Sequence, residues 1–108
     1  MVIELGLGLV VGVILALTGA GGGVGMAAVA LGKHKGAFVV GTGSNEAKRA
    51  AILGAGADHV LDPADPELAA KVKDLTGGKG IDVVYDPVGG ELAITATRAI
   101  AYGGRYLI

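Results

Sequence analysis

Short apolar blocks alternate with polar, glycine-rich stretches along this chain. Gly12 to Leu17 (GVILAL) is a continuous apolar run with β-branched members that stops at Thr18 and a glycine cluster. This is the pattern of a strand buried on both faces. Val24 to Gly32 is small and apolar throughout and ends at Lys33, His34, Lys35 and Gly36, cations and a glycine that suit a helix C-terminus. Ala37 to Gly41 repeats the strand pattern, and Ser44 stands where it can cap a helix from Asn45 to about Leu53, with Glu46 in its first turn. Asp58 to Leu61 is a short third strand. Asp65, Pro66 and Glu67 form a helix start, and Leu68, Val72 and Leu75 recur at helical spacing until Gly77 and Gly78. Ile81 to Tyr85 is a fourth strand, Glu91 to Ala101 a helix with Leu92, Ala96 and Ala99 inward and Gly103 and Gly104 as its stop, and Arg105 to Ile108 a fifth strand.

Strands that alternate with helices of this length need parallel pairing through right-handed crossovers. The expected architecture is α/β in three layers: helices on both faces of a Rossmann-like doubly wound parallel sheet, strand order 3-2-1-4-5. One domain over residues 1–108 is expected, with 1–11 as an N-terminal extension of unassigned structure. The fifth strand would lie at the sheet edge with Tyr106, Leu107 and Ile108 beside unpaired backbone groups. That arrangement predicts a homo-oligomer formed through this edge.

Composition sharpens the picture in a few places. Apolar residues make up 52% of the chain, which argues against disorder. The net charge of −1 comes from nine basic and ten acidic residues without a basic stripe, so no nucleic-acid partner is expected. The absence of cysteine rules out a disulfide framework, a thiolate zinc site and a thiol nucleophile, and is compatible with a cytoplasmic location. From Leu5 to Gly32 no formal charge occurs, and Gly8 and Gly12 form a GxxxG pair. A membrane span is nevertheless not expected, because the glycines in this run suit a helix poorly and no basic flank precedes it.

The run Thr18-Gly19-Ala20-Gly21-Gly22-Gly23-Val24-Gly25 follows a predicted strand and opens a predicted helix, the setting a dinucleotide-binding glycine turn requires. Gly19 or Ala20 serves the tight turn, Gly22 the close approach of a pyrophosphate, and Gly25 the helix-to-strand crossing. N–H groups of Gly22, Gly23 and Val24 would face the phosphates from the helix N-terminus. A tight turn without ligand is the competing reading.

NAD binders place a carboxylate about 20 residues past this turn, on the ribose 2′-OH. Here Gly41, Thr42, Gly43 and Ser44 carry none. Hydroxyls with a cation, Ser44 with Lys48 or Arg49, would welcome a 2′-phosphate instead, so NADP(H) is expected in preference to NAD(H). The alternative is that Ser44 only caps and Lys48 is a solvated charge.

Other candidate groups are weaker. Asp82 and Asp86 point to one face of the fourth strand, but Asp82 stands at its entrance, away from the ligand end, while Asp86 and Pro87 begin the loop at the carboxyl edge. His34 and His59 lack metal-ligand spacing, and the single serine lacks a nucleophile elbow. No catalytic and no metal-binding residue is expected.

From Val13 through Ile108 the chain resembles the cofactor domain of the medium-chain dehydrogenase/reductase superfamily, and most of all its zinc-free quinone oxidoreductase and enoyl reductase branch. The resemblance rests on TGAGGGVGMAAVALGK (18–33), GADHVLD (56–62), LTGGKGIDVVYDPVGG (75–90) and AYGGRYLI (101–108), in order and spacing. It implies a Rossmann fold, a nicotinamide dinucleotide as bound partner, and hydride transfer to a quinone or enone. It implies that Lys48 touches the 2′-phosphate and that Pro87, Val88 and Gly89 line the nicotinamide pocket, where the competing reading is a turn with Asp86 capping the next helix. Pro63 stands where some members have a phosphate-contacting tyrosine, Met1 to Val11 matches nothing in the family, and the family's substrate domain and sixth strand have no counterpart here. The expectation is therefore a cofactor-binding module without a complete active site. Two alternatives stay open: one portion of a hydride-transferring oxidoreductase, or a designed or trimmed scaffold that binds no cofactor.

Overall fold

A computed structural model describes residues 3–5, 9–17, 23–86 and 90–107. Two short strands, β1 (Ile3–Leu5) and β2 (Leu9–Val11), pair antiparallel as a separate two-stranded sheet. Then follow β3 (Val13–Ala16), α1 (Gly23–His34), β4 (Phe38–Thr42), α2 (Glu46–Gly54), β5 (His59–Leu61), α3 (Leu68–Leu75), β6 (Ile81–Tyr85), α4 (Gly90–Thr97) and β7 (Ile100–Leu107). The five-stranded sheet has the order β5-β4-β3-β6-β7, with parallel pairing throughout. This is the expected 3-2-1-4-5 arrangement, with the N-terminal hairpin as an addition that the sequence pattern left unassigned.

The apolar runs are continuous because both faces of the sheet are covered. Side chains alternate along β3: Ile14 and Ala16 join Val39, Val83, Val29 of α1 and Ile52 of α2 on one face. Leu15 and Leu17 join Val40, Val84, Leu68 and Val72 of α3 and Ala96 of α4 on the other. The crossing of α1 is close. A Cβ at Gly32 would stand 3.0 Å from Val39 Cγ2 and 3.1 Å from Ile14 Cδ1, so glycine here lets the helix backbone sit against the sheet. Lys33 and His34 occupy the last turn of α1, as expected of cations at a helix C-terminus.

The C-terminal elements correct the sequence reading. The helix expected over 91–101 ends at Thr97, and Gly103 and Gly104 lie inside β7 rather than stopping a helix. Thr97 Oγ1 donates to the Ile94 carbonyl at 2.6 Å, and Arg98 and Ala99 tighten into bonds to Thr95 and Ala96, so the last turn closes early. Ile81 N–H then takes the Ala99 carbonyl at 2.7 Å. The next strand begins at once, with the register shifting between the Ile81–Ile100 and Val83–Arg105 pairs. Leu92, Ala96 and Ala99 have helical spacing, but from Ile100 onward the hydrogen bonds offered by β6 outweigh that local preference.

Smaller corrections concern caps. Asn45, not Ser44, caps α2: its side chain accepts the Lys48 N–H at 2.8 Å. The helix after Pro66 starts at Leu68, because Asp65 holds a preceding turn, accepting the Glu67 N–H at 2.8 Å on its side chain and the Leu68 N–H on its carbonyl.

Candidate functional site

At the amino ends of the strands, charges are used to fasten backbone. Asp82 accepts the N–H groups of Gly12 at 3.2 Å and Val13 at 2.9 Å, tying the start of β3 to β6, with Lys79 nearby at 3.8 Å. Asp58 accepts the Val39 N–H at 2.7 Å and the Lys33 ammonium at 3.0 Å, and Lys33 also donates to the Ala37 carbonyl at 3.0 Å. Partial burial opposes charge on Asp58, but the Val39 N–H and the Lys33 ammonium outweigh it and hold the carboxyl below its ordinary value. His59 packs its ring, tilted by 44°, at 5.7 Å from that of Phe38, and His34 lies on the exposed end of α1. The two histidines thus have separate surroundings. Among the described residues no group of three or more metal-ligating side chains comes together.

The carboxyl ends are arranged differently. β3 is flanked by β4 on one side and β6 on the other, and the helices that follow β3 and β6 pack on opposite faces, which makes this the switch point of the sheet, the place where ligands bind in such folds. Gly23, Val24 and Gly25 form the first turn of α1 there. Asp86 is buried just past the end of β6. Gly19, Ala20 and Gly22 in the glycine turn, and Pro87, Val88 and Gly89 after β6, lie outside the described residues.

The tip of β4 completes this edge. Thr42 is fully buried, and the Gly43 N–H donates to the Leu61 carbonyl at 2.9 Å, which joins the tips of β4 and β5. Arg49 Nη1 donates to the Gly43 carbonyl at 2.8 Å. A Cβ at Gly43 would come within 2.8 Å of Arg49 Cγ and 3.0 Å of its backbone nitrogen, so the turn lies directly against α2. Exposed Ser44 and partly exposed Lys48 face each other, Nζ to Oγ, at 3.4 Å. Asp62, just past β5, stands 3.9 Å from Arg49 and accepts the Ala64 N–H at 2.9 Å. The structure thus brings Thr42, Ser44 and Lys48 to one edge with the first turn of α1. The sequence pointed to Lys48 with Arg49 as its alternative; the fold separates them, with Lys48 on Ser44 and Arg49 across the Gly43 turn. Asp62 was missed altogether. The signal was an acid directly after a strand whose neighbour tip lacks one.

The residues fit a nicotinamide dinucleotide, with or without a 2′-phosphate, by their donor chemistry. One exposed hydroxyl, that of Ser44, and two cations occur at the tip; Thr42, Gly43, Ser44 and Asn45 carry no carboxylate that would repel a dianion, and the nearby carboxylate of Asp62 faces Arg49.

Comparison with known proteins places this geometry in context. The family model described as zinc-binding dehydrogenase matches residues 23–108. The chain is 35% identical over 86 residues to a mycocerosic acid synthase-like polyketide synthase of Mycobacterium tuberculosis, covering 80% of this chain and 4% of that protein. It is 41% identical over 70 residues to 2-haloacrylate reductase of a Burkholderia species, covering 65% of this chain and 21% of the reductase. Among solved structures, a mycobacterial quinone oxidoreductase superposes with a TM-score of 0.81 at 37% identity, over 88% of this chain and 29% of that one. The nucleotide-binding subdomain of the enoylreductase domain of PpsC from Mycobacterium tuberculosis superposes with a TM-score of 0.76 at 36% identity, over 88% of this chain and 52% of that one. The chain thus spans only a small part of the curated relatives it matches.

Proposed function

Since the chain belongs to the zinc-binding dehydrogenase family, within the medium-chain dehydrogenase/reductase superfamily, we propose that it is a module for holding NADP(H) in preference to NAD(H). The pyrophosphate lies on the glycine turn, at Gly19, Ala20, Gly22, Gly23, Val24 and Gly25. The adenosine 2′-phosphate lies at Ser44 and Lys48, with the buried Thr42 behind them, and the nicotinamide near Pro87, Val88 and Gly89. The observation that carries this reading is the Ser44–Lys48 pair at 3.4 Å on a β4 tip without a carboxylate, at the carboxyl edge of a doubly wound sheet. When bound, the cofactor supplies hydride chemistry, and the protein supplies position and electrostatics.

The relatives that carry a quinone oxidoreductase or enoyl reductase name point to a conjugated carbonyl compound as hydride acceptor, and these 108 residues serve as the cofactor half of such a reaction. Alone they are expected to oxidise NADPH no faster than background with quinones or enones, since such a site needs walls that exclude water and bind substrate. Among the described residues no helix is long and apolar enough to cross a membrane, and the setting we propose is the cytoplasm. β7 ends the strand order, and we propose that it pairs with a second copy; Leu107→Lys should then weaken a dimer seen in sedimentation.

Calorimetric titration tests the central reading. NADPH should bind more tightly than NADH, and Gly22→Val should weaken NADPH by well over about tenfold by placing a side chain where the phosphates approach. Lys73→Ala, on exposed α3 surface, should leave binding unchanged. Equal binding by the Gly22 variant would remove the site from this turn.

A further inference from the structure

We propose that Arg49 and Asp62 are a coupled pair that sets how strongly this edge distinguishes a 2′-phosphate from a 2′-hydroxyl. In this pair Arg49 is a positioning residue and Asp62 its counter-charge. The inference rests on the dinucleotide reading above and assigns the tuning of that site to two residues beyond it.

Arg49 does two things at once. Its guanidinium bonds the Gly43 carbonyl at 2.8 Å, and its own N–H bonds the Asn45 carbonyl at 3.0 Å. It therefore closes the turn that presents Ser44, with no space for a side chain at Gly43. It also carries a full positive charge on the same helix turn as Lys48. Asp62 opposes that charge from the neighbouring strand end, 3.9 Å away. The carboxylate is held in place independently of Arg49, because its other oxygen takes the Ala64 N–H at 2.9 Å. Loss of Arg49 therefore leaves an uncompensated anion at the tip, and loss of the Asp62 charge leaves an uncompensated cation.

The side chains are 30% and 49% exposed. A pair so exposed is weak and screened by salt, so Asp62 offsets only part of the Arg49 charge, and the remainder attracts a phosphate dianion at this edge while Arg49 stays on the Gly43 carbonyl. A 2′-hydroxyl carries no charge to respond to it. Asp62 should thus lower affinity for the phosphorylated dinucleotide selectively, and Arg49 should raise it both by charge and by holding Ser44 in place.

The test measures NADPH and NADH affinity on the full 108-residue chain by calorimetry, for wild type, Asp62→Asn, Arg49→Gln and the double variant. Asn at 62 keeps an acceptor for the Ala64 N–H and removes only the charge. Asp62→Asn should raise the NADPH-to-NADH affinity ratio by about three- to tenfold, and Arg49→Gln should lower it by about tenfold or more. The double variant should fall short of the product of the two, and about 0.5 M salt should compress all the differences. A ratio within about twofold of wild type in both single variants, with NADPH still bound, would overturn the pairing while leaving the cofactor reading intact. If wild type binds neither dinucleotide, the cofactor reading falls and this inference with it. Should Arg49→Gln fail to fold, the exposed Asp62→Asn change decides alone.

Discussion

The two edges of the sheet use charge for opposite purposes. At the amino edge Asp58 and Asp82 are spent on backbone N–H groups of neighbouring strands, each with a lysine alongside. At the carboxyl edge Lys48 rests on a serine hydroxyl and Arg49 on a carbonyl and a half-exposed carboxylate. The first arrangement satisfies donors that strand starts would otherwise leave unpaired. The second leaves positive charge at the surface with only weak partners, which is what recognition of an anion from solution needs. A mutation at the amino edge should therefore be felt as stability, and one at the carboxyl edge as binding.

The sharpest way to break this contrast is Asp82→Ala. It strands two part-buried N–H groups, Gly12 and Val13, and should cost about 2–3 kcal/mol in denaturant unfolding while leaving the NADPH affinity of the folded fraction unchanged. A comparable loss of cofactor affinity would show that the two edges are not separable. Next, Lys48→Glu sets an anion beside the proposed phosphate site. NADPH binding should fall by about 20-fold and NADH binding by less than about threefold, with unfolding free energy within about 0.5 kcal/mol of wild type. If both cofactors suffer alike in calorimetry, Lys48 is only a surface residue.

Acid titration sharpens the amino edge. The carboxyl of Asp58 is held below its ordinary value of 3.8 in the folded chain, so its contribution is present above that pH and is lost as pH falls through the lower, folded value. Asp58→Asn should cost about 1 kcal/mol near neutrality. It should also make stability less dependent on pH below about 4, as followed by circular dichroism. An acid limb unchanged in the variant would assign acid sensitivity elsewhere. The smallest effect belongs to Asp65 and Lys71, which form an exposed pair: the ammonium lowers the Asp65 carboxyl and the carboxylate raises the lysine. Lys71→Ala should change neither unfolding nor cofactor binding measurably.

Much of the scaffold was legible because its signals are local. The apolar runs at 12–17, 37–41 and 81–85 each became a strand within a residue or two, and Val72 buried the face that its helical spacing predicts. The alternation of element types, together with the handedness of crossovers, then leaves few sheet orders to choose from. The C-terminal misreading shows the limit: Leu92, Ala96 and Ala99 fit a helix by spacing, and only the presence of β6 alongside turns residues from Ile100 onward into a strand. The antiparallel hairpin of β1 and β2 was illegible for a related reason, since runs of three residues are too short to show a period.

At the candidate site the division is the same. The sequence by itself determined the order of strands and helices, the family resemblance, the position of the glycine turn and the absence of a carboxylate at the end of the second strand of the main sheet, because all of these follow from neighbours in the chain. Tertiary structure alone decided that Asn45 and not Ser44 caps α2, leaving Ser44 opposite Lys48, and that Arg49 bends back over Gly43 toward Asp62. Whether a charge is committed or available depends on distances across the gap between two strand ends. Those distances are set by how α2 lies against β4 and β5, which no periodicity in the chain encodes.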